Sequence, residues 1–283
     1  MTKPIATSAD GLHVRAVETR GVMVPLNFTL GTSAAIVTEA PLLLIDLVTD
    51  GGVTGRAYLF CYRPCGAAAI AAILHEAVDM IAGHTVAPVD TYELLNQRYK
   101  LFGVTGAARM ALSALDIALW DALAIAHGRP LAEILGGEAK PHRAYNSCGL
   151  GLMGPDDLAD EADILLERGF GAVKLRLGYA TLEEDIAAAR AVRNRIADDI
   201  VIPCDYNQAL TFDEALRRGR ALQGEGLYWL EEPMRHDDYR AYARLAAELD
   251  WPVQIGENFN GPEAMDEALA ARACDLVMPD IDR

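Results

Sequence analysis

Three acidic residues, Asp205 in CDYNQ, Glu231 in LEEP and Glu257 in IGEN, follow one another at equal spacing, 26 residues each, and each closes a short apolar run. If every run is a β-strand followed by a helix, the three carboxylates finish side by side on neighbouring strands, one βα unit apart. Like charges a few ångströms apart raise one another's pKa, so such a trio needs a counter-charge. A hard divalent cation supplies it, and an all-oxygen donor set favours Mg²⁺ or Mn²⁺ over Zn²⁺. A lone acid at a strand end more simply caps the next helix or faces water; three in step point to an ion.

A second chemical signal is AVKLRLG at 172–178. On a strand, Val173, Leu175 and Leu177 share one face while Lys174 and Arg176 share the other. Two adjacent cations repel, so their face meets either water or something anionic. Next to a metal they form an electrophilic pocket for an anionic substrate, most simply a carboxylate chelated to the metal. Cations and metal together would stabilise the charge that appears when the carbon α to that carboxylate loses its proton. The implied reaction is α-proton abstraction through a metal-stabilised enediolate. A lysine among positive neighbours is expected to have a lowered pKa, which suits a base near neutrality.

Positioning these groups falls to two kinds of text, with a boundary near Pro141. Residues 1–140 open with strand-like runs, RAVETRGVMVPL and PLLLIDLVTD, then a DGG turn and VTGRAYLF; Ala/Leu-rich helical spacing follows at 66–82, 90–100 and 105–127. That predicts an α+β domain. From 141 to 283 six short apolar runs alternate with five helical segments at roughly 25-residue intervals, the pattern of repeated βα units and a parallel sheet. No G-x-G-x-x-G loop follows the first run, which argues against a dinucleotide fold. Strand after strand ends in a polar group instead: Ser147, Lys174 and Arg176, Asp205, Glu231, Glu257, Asp280. Barrel enzymes collect catalytic groups on that C-terminal rim. The predicted fold is therefore α/β: an N-terminal α+β capping domain, 1–140, and a TIM-type (β/α) barrel, 141–283, carrying the metal site.

Composition narrows the partners. The chain has 283 residues, 52% of them hydrophobic, enough for a sizeable core. Its net charge of −16 argues against nucleic-acid and anionic-membrane partners, both of which need a basic footprint. Five scattered cysteines fit reduced thiols in a cytoplasmic protein, and Cys61 and Cys65 lack the second pair that would complete a metal clip. The opening MTKPIATSADGLHV has no apolar signal-peptide core. No segment is expected to span a membrane, since the most apolar helix candidate, 108–126, carries Arg109, Asp116 and Asp121.

Taken as an ordered set, VKLRLG, CDYNQ, WLEEP, QIGENFNGPE and CDLVMPD resemble the enolase superfamily, specifically its mandelate racemase subgroup (mandelate racemase/muconate lactonizing enzyme-like). VPLNFTLGTS, PLLLIDLVTDGGVTGRAYLFCY and RMALSALDIALWDALA carry the likeness through the first domain. The resemblance implies that Asp205, Glu231 and Glu257 ligate Mg²⁺ and that Lys174 sits by the substrate carboxylate. It implies that Asn207 hydrogen-bonds the substrate's 2-hydroxyl and that Ser147 lies near the carboxylate. The first domain would cap the barrel mouth, with Leu30, Ala34, Val37 and Tyr62 lining the pocket, an apolar set that suits an aryl or alkyl substituent more than a polyol. The activity implied is that of a racemase or acid-sugar dehydratase acting on a small 2-hydroxy acid, in a homo-oligomer.

The chain departs from the family pattern at two points. Arg176 stands where the racemase has a lysine base, and arginine stays protonated, so its expected work is bidentate binding of a carboxylate. Asp280 in the family orients a histidine on the seventh strand, yet the text stops at Asp280-Ile-Asp-Arg283. The barrel is therefore expected to be C-terminally truncated, with about six of eight strands, against the roughly 250 residues of a full barrel. None of the six histidines falls at a predicted strand end. A rival reading is a non-catalytic remnant that binds metal or a partner chain. An unrelated open α/β binding protein would require the three acids to lie far apart.

Overall fold

The computed structural model describes residues 7–283; residues 1–6, the start of the stretch read for a signal sequence, lie outside it. The chain divides into two compact units. Residues 39–141 form most of the first, joined by the N-terminal residues up to Pro25 and by Ile281–Arg283; the second holds 142–280 together with Leu26–Thr38. The break at Pro141 falls where the strand-helix beat begins, but the excursion at 26–38 leaves no mark in the sequence.

In the first unit, strands β1 (Ala9–Gly31), β2 (Ile36–Thr49) and β3 (Thr54–Phe60) join the short β4 (Thr85–Val86) in the sheet order β3-β2-β1-β4. β2 and β3 form an antiparallel hairpin around the DGG turn, Leu42 opposite Phe60 and Val48 opposite Thr54. Helices α1 (Pro64–Ile81), α2 (Pro88–Tyr99), α3 (Ala107–Ala126) and the one-turn α4 (Leu131–Ile134) complete it. The alternating Leu43, Ile45 and Leu47 of β2 are buried with Ile70, Leu74 and Ile81 of α1 and Leu115, Leu119 and Leu123 of α3. Prolines open α1 and α2 at positions where the missing N–H would have had no helical partner. Gly55 lets β3 touch α3 backbone to backbone, since a Cβ there would lie 2.0 Å from the Ala118 carbonyl oxygen.

One expectation needs correction here. α1, not the 108–126 segment, is apolar and long enough over 18 residues, at mean hydropathy 1.4, to pass for a membrane span. Its Ile70, Leu74, Ala77, Val78 and Ile81 line the core of the first unit. An Ala-rich core helix and a membrane span share composition, and only packing separates them.

The second unit alternates α5 (Pro155–Leu166), β5 (Leu175–Arg176), α6 (Leu182–Arg195), β6 (Cys204–Asp205), α7 (Phe212–Leu222), β7 (Leu230–Glu231), α8 (Tyr239–Glu248), β8 (Val253–Ile255), α9 (Pro262–Ala271) and β9 (Leu276–Val277). All five strands pair in parallel and in chain order, β5-β6-β7-β8-β9. A bridge from Asn146 to Val173 adds a sixth parallel segment beside β5. This is the incomplete barrel the sequence predicts. The ladders are shorter than the apolar runs, although backbone bonds extend the β5–β6 pairing from Val173 to Leu177. Local sequence starts the helices: Thr181 and Glu184 cap α6 reciprocally, Thr211 caps α7 and Asp238 caps α8.

Candidate functional site

Register builds the site. Arg176 pairs with Asp205, Asp205 with Glu231, and Glu231 with Gln254, so these four side chains share one face of the sheet. On the other face Leu175, Cys204, Leu230 and Val253 are buried in the apolar core. Beyond β8 the chain turns at Gly256, φ 145°, where a Cβ would strike the Met278 backbone, and Glu257 follows. One carboxylate oxygen each from Asp205, Glu231 and Glu257 lies within 4.8 Å of the other two.

Lys174 answers the question its strand raises, because its face meets anions. Its Nζ lies 2.9 Å from Asp205 Oδ2 and donates to Glu231 Oε1 at 2.7 Å, with all three side chains buried. Burial pushes the lysine pKa down, but Asp205, Glu231 and Glu257 outweigh it and hold the group above the ordinary lysine value. That reverses the expected lowering: the nearest charges to this ammonium are acids, and Arg176 is outnumbered. Burial and then Asp205 push the Glu231 carboxyl up to about 7, against the pull of Lys174.

Arg176 is also buried; it donates from one terminal nitrogen to the Gly149 carbonyl at 2.7 Å, and its Nε has no partner. Burial draws its pKa down, yet guanidinium remains a cation, so it offers charge and donors but no base. Asn207 sits at φ 45° two residues past the end of β6, donating from its backbone to Asp205 Oδ1 at 2.7 Å and from Nδ2 to Asp205 Oδ2 at 2.9 Å. Its Oδ1 is buried without a partner, an acceptor suited to a hydroxyl.

Several contributors escape sequence reasoning. Trp229 donates its indole N–H to Glu231 Oε2 at 3.2 Å and packs edge-on against Tyr145. Glu232 is fully buried and accepts from Asn258 at 2.6 Å; burial, then Glu257, pushes it up to about 8. Both lie inside the WLEEP motif, and the period-2 alternation that puts Glu231 on the inner face puts Trp229 there too. The other expected positions lie on separate stretches of chain. Ser147 is exposed just past the Asn146 bridge, and Asp280 is half-buried three residues past β9. Leu30 and Val37 are partly buried on the 26–38 excursion, which is anchored to the second unit by Leu152 N–H on the Gly31 carbonyl and by Ser33 Oγ on the Tyr206 carbonyl. Tyr62 belongs to the first unit, exposed at φ 58°, with Phe60 edge-on and the Arg283 guanidinium 5.0 Å over its ring.

The residues fit a hard divalent cation. Three buried or half-buried carboxylates converge, the donors are oxygen only, and the repulsion among them already shows in the raised Glu231 pKa.

A family model described as the mandelate racemase / muconate lactonizing enzyme N-terminal domain matches residues 13–136, and one described as enolase C-terminal domain-like matches 157–283. The L-talarate/galactarate dehydratase of Salmonella typhimurium is 32% identical over 248 residues, 87% of this chain and 62% of that protein, so the chain spans less than two thirds of this relative's length. Among solved structures, an enolase from alpha pretobacterium bal199 with bound Mg is 40% identical with a TM-score of 0.93, over 96% of this chain and 76% of that one. An enolase from Bradyrhizobium complexed with magnesium and mandelic acid is 34% identical with a TM-score of 0.90, over 96% and 75%.

Proposed function

The chain belongs to the mandelate racemase / muconate lactonizing enzyme family of the enolase superfamily, and we propose that its site removes the α-proton of a small 2-hydroxy carboxylate in a Mg²⁺-dependent racemisation or dehydration. The observation that carries this reading is the convergence of Asp205, Glu231 and Glu257 beside Lys174. Relatives bound to Mg and to mandelic acid, and a talarate/galactarate dehydratase, support the substrate class. When bound, Mg²⁺ would hold the substrate carboxylate and offset the second negative charge that forms as the proton leaves.

The remaining work falls to the chain. Lys174 places an ammonium where that carboxylate would sit and stabilises the developing charge. Arg176 adds a permanent cation on the same face and can orient an anion through its unpartnered Nε–H. Asn207 is held by Asp205 with its Oδ1 presented to accept a substrate hydroxyl. Arg176 cannot take the proton, so the acceptor on this face would be Lys174, once Mg²⁺ took over the Asp205 and Glu231 oxygens that now hold its ammonium; a single base fits dehydration better than a symmetric two-base racemisation. We also place the protein in the cytoplasm, a reading supported by five free thiols.

A second reading, metal binding without turnover, is favoured by the engagement of the Lys174 ammonium with both Asp205 and Glu231. Calorimetric Mg²⁺ titration of the wild type and Asp205→Asn, followed by α-deuterium exchange over a panel of mono- and dicarboxylic hydroxy acids, separates the two. Mg²⁺ binding that Asp205→Asn weakens, with exchange in at least one acid, supports catalysis. Binding without exchange supports the second reading, and no Mg²⁺ binding rejects both.

A further inference from the structure

Asp185 lies in the first turn of α6, away from the metal ligands, and is completely buried. Its Oδ1 accepts from the Gly178 and Tyr179 backbone N–H groups at 2.9 and 3.0 Å. Its Oδ2 accepts from the Tyr206 hydroxyl and from Arg218, both at 2.6 Å. Arg218, buried too, donates onward to the Tyr179 carbonyl at 2.9 Å and the Ala180 carbonyl at 3.3 Å. One carboxylate therefore fastens three parts of the second unit: the loop that leaves the Lys174/Arg176 strand, the tyrosine between Asp205 and Asn207, and helix α7.

The chain needs such a fastening just there. Asn207 and Gln208 both hold positive φ, 45° and 65°, a conformation that non-glycine residues seldom adopt and that persists only where neighbours enforce it. Asn207 cannot relax without moving Asp205, to which it is bonded twice. On the outer side of that turn, Tyr206 is fully buried and its hydroxyl ends on Asp185. We infer that Asp185 is a positioning residue of the site: through Tyr206 it holds the 205–208 turn in its strained form, and so fixes the Asp205 carboxylate and the Asn207 acceptor relative to Lys174.

The metal consequence rests on the function proposed above; the fastening itself does not, and the test reads both. Tyr206→Phe removes one hydroxyl and keeps the ring, so it cuts the link while the Asp185–Arg218 pair stays. Asp185→Asn is the more severe companion, because an amide cannot serve all four donors. Hydrogen–deuterium exchange resolved by peptide is expected to quicken about tenfold across 205–210 in Tyr206→Phe, with β8 and the first unit unchanged and the fold intact by circular dichroism. Mg²⁺ affinity is expected to fall about tenfold, as when groups that orient metal ligands are lost. Unchanged exchange at 205–210, or a uniform rise over the whole second unit, overturns the inference. Local loosening with unchanged Mg²⁺ affinity overturns it as well, leaving Asp185 a mere brace. Should the wild type bind no Mg²⁺, the proposed function falls, and the exchange pattern alone decides whether Asp185 holds the turn.

Discussion

Replacing Lys174 by Met keeps an unbranched side chain, one heavy atom shorter, and deletes the charge together with its N–H donors. The ammonium lies between Asp205 and Glu231 at 2.9 and 2.7 Å, with 5% or less of any of these side chains exposed. Removing one partner from a buried charge pair costs about 3–5 kcal/mol, because the remaining charges stay buried and uncompensated. Lys174→Met should therefore lower the urea-unfolding free energy by about that amount without divalent cation. Yet the same ammonium competes with a cation for the same oxygens, so the variant should bind Mg²⁺ at least tenfold more tightly. At saturating Mg²⁺ a tenfold gain narrows the stability gap by about 1.4 kcal/mol. The assay is paired urea titrations, with chelator and with Mg²⁺, beside a calorimetric dissociation constant. A gap that ignores Mg²⁺, or weaker Mg²⁺ binding in the variant, would refute the idea that lysine and metal share these carboxylates.

Two further perturbations probe the first unit. Asp116 on α3 faces a hollow lined by Tyr92, Leu95, Leu112, Leu115 and Leu119, and burial, partly offset by a bond from Trp120, raises its carboxyl to about 6. The fold thus favours its neutral form, and the stability this gives is complete below about pH 4 and is lost as pH rises through 6. Asp116→Asn should match the wild type at pH 4 and exceed it by about 1–2 kcal/mol at pH 7, allowing for residual exposure; a pH-independent difference in melts would contradict this. Gly55→Ala would drive a methyl group to 2.0 Å from the Ala118 carbonyl oxygen and 2.9 Å from the Ala122 methyl. It should cost about 3 kcal/mol by forcing β3 off α3, and a wild-type urea midpoint would show that the contact is looser than described.

The βα rhythm after Pro141 was legible because short, mostly buried runs recur at even intervals, and three of the helices open on a cap that can be read, Thr181, Thr211 and Asp238. The grouping of Asp205, Glu231 and Glu257 was legible for the same reason, since equal spacing in a parallel repeat becomes adjacency in space. What the text hid depends on distance rather than period. Asp185 reaches the site through one of its four hydrogen bonds, to Tyr206 21 positions away, and nothing in its local pattern separates it from an ordinary helix-capping acid. The Lys174 pKa went the other way because its sign depends on which charges stand nearest, which alternation along one strand cannot tell. The 26–38 excursion was invisible since its anchors, Gly31 and Ser33, belong to an ordinary-looking hairpin.

Because β5 through β9 lie side by side in the order in which they are made, the charges of the centre arrive one at a time as the chain emerges. Lys174 and Arg176 come first, then Asp205, then Glu231, then Glu257. Asp205 and Glu231 are thus each made after a cation that can offset them, and Glu257 is the first acid of the trio without one of its own. Were the order reversed, the nascent edge would accumulate repulsion before its remedy had been synthesised.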